Sequence, residues 1–218
     1  MKANLLAKFK ICLNKRHIFH IHTNHTDGSS TIEEYCSFAV HNGLEAVFFT
    51  EHVRKQLEYD FDKYIAEIRE AREQFPRLDI WTGAEAKILP GGDLDISDEV
   101  LSKIQILCVA CHSFPSDLGL YCDSLKKVFS NGRWEKYVRV WVHPGLFLRN
   151  LNVLDRETGL LEELIHSAAQ NGAFIEHNLR KNLPPERIME SIPQQNLVMG
   201  WDAHSVKFLR KAIKEPPC

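Results

Sequence analysis

Seven short apolar runs recur along the chain, at residues 17–22, 45–50, 79–84, 104–110, 138–142, 173–176 and 196–201. They are rich in Ile, Val, Phe and Leu and have the length of buried strands. Segments of helical period lie between them. Phe61, Tyr64, Ile65, Ile68 and Ala71 recur at three- and four-residue steps and mark one apolar helix face, which Pro76 stops. Leu160, Leu161, Leu164, Ile165 and Ala168 repeat the pattern, with Gly172 as terminator. Ser30 and Glu33 read as a capping box opening a helix that Gly43 ends. Pro184 and Pro185 introduce a last short helix reaching Ile192, and residues 113–136 predict a long loop holding one helix.

Strands that alternate with helices and read as near-continuous apolar runs predict a parallel α/β fold. With 218 residues, 44% of them hydrophobic, the chain has enough apolar surface for one sizeable core. One domain over residues 1–218 is expected, with its core at about residues 17–208. The 27 basic residues are offset by 29 acidic ones, so the chain lacks the basic surplus typical of nucleic-acid binders. Residues 1–16 are basic and resemble the start of an export signal, but Lys8 and Lys10 break the apolar stretch that export requires. No run approaches the roughly 18 apolar residues of a membrane span, and the expected location is cytoplasmic. The cysteines at 12, 36, 108, 111, 122 and 218 then read as buried reduced thiols. Cys108, Cys111 and His112 match the C-x-x-C-H signature of haem attachment. They sit on a predicted buried strand, where residues three apart point to opposite faces.

The candidate chemistry lies at the downstream end of each strand. The first run ends in His20 and His22 with Asp27 beyond, the second in Glu51 and His52, and the third in Glu85. His112 and His143 come after the fourth and fifth, Glu176 and His177 close the sixth, and Asp202 and His204 come after the seventh. Incidental residues would scatter, as His17, His41 and His166 do. In a barrel of parallel strands these ends converge on the face where such folds place their active sites. Burying so many ionisable groups without a metal is costly. Imidazole and carboxylate without thiolate suit zinc, manganese or iron. Two ions bridged by a carboxylate can generate hydroxide and clamp both oxygens of a phosphoryl displacement. Arg54, Arg149 and Arg180 each lie just beyond a strand end and are candidate phosphate donors.

In order, these motifs are His20-x-His22-Thr23 with Asp27-Gly28, Thr50-Glu51-His52, Gly83-x-Glu85 and Cys111-His112-Ser113. His143-Pro144-Gly145, Glu176-His177-Asn178 and Asp202-Ala203-His204-Ser205 complete the series. Over nearly the whole chain from Phe19 to Ser205 the sequence resembles the PHP (polymerase and histidinol phosphatase) superfamily. Residues 92–101 are similar to the branch holding bacterial family X polymerase PHP domains and small stand-alone phosphatases. The resemblance implies a distorted (β/α)7 barrel of parallel strands with outer helices. It also implies two or three divalent metals (Zn, Mn or Fe). His20, His22, Glu85 and Asp202 would hold the first, Glu85 would bridge to a second completed by His112 and His143, and Asp27, His52 and His204 would hold a third. Glu51 stands where the family usually has Asp, and its longer side chain is expected to shift His52. His177 replaces an aliphatic residue, and strand alternation lets only one of Glu176 and His177 face the site. His25 reads as an exposed loop histidine.

The leading expectation is hydrolysis of a small phosphomonoester, histidinol-phosphate-like or nucleotide-like, by a metal-bridging hydroxide. Glu85 would be central to it, and His52 or His204 would serve as proton donor. The alternatives are a 3'-5' exonuclease or phosphodiesterase and a non-catalytic, metal-stabilised accessory protein. The nuclease would use basic residues between Lys126 and Arg139, with Trp134 and Tyr137 as stacking platforms.

Overall fold

The computed structural model describes residues 2–214, so Cys218 lies outside the described residues. In chain order the elements are Lys2–Leu13 (α1), His17–Ile21 (β1), Ile32–His41 (α2), Ala46–Val53 (β2), Phe61–Gln74 (α3), Asp79–Leu89 (β3), Asp93–Leu94 (β4), Asp98–Leu101 (α4) and Ile106–Ala110 (β5). Leu118–Ser130 (α5), Val138–Trp141 (β6), Leu146–Asn150 (α6), Thr158–Gln170 (α7), Phe174–Asn178 (β7), Glu186–Met189 (α8), Leu197–Ala203 (β8) and Val206–Lys214 (α9) complete the order. β1, β2, β3, β5, β6, β7 and β8 pair in parallel in that order, and β8 pairs back to β1, closing a seven-stranded barrel. β4 is an antiparallel flap on the end of β3 that the hydrophobic pattern does not reveal.

Two apolar layers result. Outward side chains such as Ile18, Val47, Ile80 and Leu107 pack beneath the helices. Inward ones fill the barrel, chiefly Phe19, Phe48, Trp81, Val140, Phe174 and Val198. The barrel's N-terminal end is closed by α1, an element absent from the sequence-based expectation. Its Phe9 is fully buried and meets Phe174, Phe48, Trp81 and Phe19 edge-on at centroid distances of 4.9, 5.5, 5.8 and 6.4 Å. The packed core therefore begins upstream of residue 17.

Local signals are displaced slightly. The capping box is Thr31–Glu34 rather than Ser30–Glu33: Glu34 N donates to Thr31 Oγ1 at 3.1 Å and Thr31 N to Glu34 Oε2 at 2.9 Å. Ser30 Oγ instead accepts from Val206 N and ties β1's loop to α9. Cys108 lies inside the barrel and Cys111 in the outer layer, so the C-x-x-C-H pattern gathers no thiol pair. No helix among the described residues is long and apolar enough to cross a membrane.

Candidate metal centre

A bulge in β1 makes the centre possible. The register shifts between Phe19 and Ile21 against both neighbouring strands, and His20 stands in the left-handed region at φ 69. Simple alternation would put Phe19 on the opposite face from His20 and His22. The extra residue turns all three inward while Ile18 and Ile21 pack outward. Trp81 and Glu85 keep ordinary alternation on β3, as Phe48 and His52 do on β2.

Glu85 is the hub. Its carboxylate is 1% exposed. Oε1 lies 2.9 Å from His143 Nε2 and 3.2 Å from His112 Nε2. Oε2 lies 3.1 Å from His52 Nδ1, 3.2 Å from His22 Nε2 and 3.4 Å from His20 Nε2. Asp202 Oδ1 faces His22 and His20 at 3.6 and 3.8 Å, and Asp27 Oδ2 faces His204 and His52 at 3.2 and 3.5 Å. Three groups of potential ligand atoms emerge: His20, His22 and Glu85; Glu85, His112 and His143; and His22, His52 and His204. All nine expected ligands are thus brought together, with His22 placed between the first and third groups.

The donors suit a divalent metal. His22 is fully buried, yet neither ring nitrogen makes a hydrogen bond, and its contact with Glu85 lacks hydrogen-bond geometry. Burial pushes its pKa down to about 3 and that of His112 down to about 4, leaving neutral imidazoles with free lone pairs. Burial alone would raise Glu85, but charge on His52, hydrogen bonds with His143 and His20 and the close approach of His22 hold it well below the usual carboxylate range. Hydrogen bonds from His204 and His52 similarly keep Asp27 ionised. Ionised carboxylates with neutral His22 and His112 are the states that metal binding requires. At His20 and His52 burial is outweighed by the carboxylates of Glu176 and Glu85, which raise both, so a metal there would displace a proton.

Glu51 does not displace His52. It points away from the cluster, fully buried, and accepts from Thr23 N and Thr26 Oγ1, anchoring the loop that carries Asp27. That loop doubles back so tightly that a Cβ on Gly28 would overlap the backbone of His22. His25 is not an exposed loop residue. Its side chain is 9% exposed, lies against Tyr59 and Tyr64, and its Nε2 is 2.8 Å from Glu67 Oε2. Glu176 faces inward and is fully buried, whereas His177 is only partly covered.

The cluster opens into a cavity of about 730 Å³ at the strand ends. Arg54 and Arg180 line it. Arg180 donates to the Asp202 carbonyl at 3.1 Å and to His204 Nδ1 at 2.6 Å. Arg149 is not among the lining residues and donates to the Lys181 carbonyl at 2.7 Å. Lys181, which the strand-end pattern does not single out beside Arg180, lines the cavity with its ammonium group on Asp202. Residues 126–139, the strip that the alternative nuclease reading would use, form an ordinary helix and strand. Trp134 and Tyr137 are 1% and 8% exposed, and Arg139 is bound to the carbonyls of Phe129 and Asn171 at the start of β6, the end of the barrel opposite the cavity.

A chain of known structure shares this barrel: histidinol phosphate phosphatase from Lactococcus lactis subsp. lactis, complexed with zinc, L-histidinol and phosphate. It aligns at a TM-score of 0.61 with 18% identity, over 92% of this chain and 93% of that one. Among curated sequences, DNA polymerase/3'-5' exonuclease PolX of Bacillus subtilis is 28% identical over 204 residues, 87% of this chain and 34% of the relative. A probable phosphatase of Acetivibrio thermocellus is 26% identical over 153 residues, 68% of this chain and 58% of the relative. The chain thus spans well under two thirds of either relative's length. The PHP domain family model matches residues 19–191, a span that takes in every inward-facing strand end from His20 to Glu176 and stops before β8 adds Asp202 and His204. With that match over most of its length, the chain belongs to the PHP domain family.

Proposed function

We propose that this chain is a metal-dependent phosphoesterase acting on a small phosphomonoester. The observation that carries the reading is one buried carboxylate, Glu85, shared by five imidazoles at the floor of a cavity that also holds Arg180 and Lys181. Two or three divalent ions, zinc, manganese or iron, fit the donors: His20, His22, Glu85 and Asp202 for one, Glu85, His112 and His143 for another, and Asp27, His52 and His204 for a third. Such ions supply a nucleophile from water and neutralise charge on phosphoryl oxygens. Arg180 and Lys181, on the strand end after β7, are placed to bind the remaining phosphate oxygens. His52 and His204 each have a ring nitrogen toward Asp27, which orients them over the cavity.

Phosphate release from a panel of small phosphomonoesters, with manganese- or zinc-loaded protein, tests this reading. Release that vanishes on chelation and returns with metal is the expected result. Cleavage confined to single-stranded DNA, with metal bound and every monoester inert, would replace it with a nuclease. Lys181→Met should raise KM and weaken inhibition by inorganic phosphate about 10- to 100-fold, the worth of one charged hydrogen bond, while leaving bound metal in place. Unchanged phosphate affinity would remove Lys181 from the phosphate site.

A further inference from the structure

Glu176 is buried inside the barrel behind the candidate ligands and contributes no atom to any of the three ligand groups. Its Oε1 lies 2.6 Å from His20 Nδ1. Its Oε2 accepts from the backbone N–H of His143 at 2.6 Å and from Asn178 Nδ2 at 3.0 Å. One carboxylate therefore touches a ligand of the first position and the backbone of a ligand of the second. A carboxylate oxygen accepts, so Glu176 holds a proton on His20 Nδ1 and leaves Nε2, which faces Glu85 and Asp202, as the nitrogen a metal would take. At His143 the same group holds the N–H of a residue at φ 35, a backbone state that needs external support. β8 makes room for it: a Cβ on Gly200 would overlap the Glu176 carboxylate, so this glycine leaves the space that side chain fills.

From this we infer that Glu176 is a positioning residue that sets the affinity of the first two metal positions together, by fixing the His20 tautomer and the His143 backbone with its two oxygens. The inference rests on the reading of these residues as metal ligands. An amide cannot replace the carboxylate. With its oxygen toward His20, the NH2 of a glutamine confronts the donors of His143 and Asn178. Reversed, it confronts His20 Nδ1 and drives the proton onto the metal-facing nitrogen.

Calorimetric titration of zinc into metal-free wild type, Glu176→Gln and Gly200→Ala tests the idea, with the histidine ¹⁵N spectrum read in parallel. Glu176→Gln should weaken both positions about 10- to 100-fold, the usual effect of losing a ligand's outer partner, and move the His20 nitrogen signals away from the Nδ1-protonated form. Gly200→Ala, which displaces the carboxylate without removing it, should do the same, so a folding failure in one variant leaves the other. Wild-type affinity at both positions in a folded Glu176→Gln, or weakening at only one, would overturn the inference while leaving the metal sites standing. Failure of the wild type to bind zinc would overturn the ligand assignment itself.

Discussion

Glu85→Ala is expected to lose at least one metal equivalent and to lower kcat/KM by about 10³-fold or more. A bound metal contributes several kcal/mol to phosphoryl transfer, and each 1.36 kcal/mol is about a factor of ten. The geometry accounts for the size of the loss. Oε1 serves His112 and His143 while Oε2 serves His20, His22 and His52, so removing the carboxylate takes an anionic member from two ligand groups and leaves the one at His112 and His143 with none. Three imidazoles then crowd the gap, with His22 and His52 stacked at 4.2 Å and His20 and His22 at 5.0 Å, and the carboxylate nearest to them is gone. Elemental analysis of the purified variant alongside phosphate release decides the matter. Full metal content with undiminished turnover would remove Glu85 from the centre.

Phe9→Ala should cost about 3–5 kcal/mol, as truncation of a buried aromatic usually does. For a protein of this size that lowers Tm by about 6–20 °C. Phe9 is fully buried and lies edge-on to four aromatic rings that come from β1, β2, β3 and β7. Shortening it opens a cavity in the barrel axis that no single strand can collapse to fill. Because this plug sits at the end opposite the candidate metal centre, metal stoichiometry should stay at the wild-type value. A melting temperature within a degree or two of wild type would show that α1 rests on the barrel without sealing it.

Much of this architecture was legible in the chain because inward and outward faces are both apolar. Each strand then stands out as a short unbroken run, and the first polar residue after it marks the cavity end, as Glu85 does after Ala84 and His143 after Val142. The ligand motifs added a family resemblance that the matched span from residue 19 to 191 bears out. What escaped depends on contacts distant in sequence. α1 offers the barrel chiefly Phe9 and Cys12 between lysines, too sparse an apolar face to be noticed beside the strands. The bulge at His20 leaves no compositional mark, since H-x-H reads as simple alternation. Glu176 looks like another strand-end ligand until Gly200, on a different strand, is seen to accommodate it. Trp134, Tyr137 and Arg139 look like a nucleic-acid platform only while their burial is unknown.

Three of the candidate ligand residues occupy the left-handed backbone region: His20 at φ 69, His143 at φ 35 and Asp202 at φ 48. For a residue with a Cβ each such conformation costs about 1–2 kcal/mol, and glycine or asparagine would bear it more easily. Glycine would relieve the backbone at any of the three and in exchange leave a void, since His20, His143 and Asp202 are almost fully buried, so the strain is locked in with the side chains that impose it.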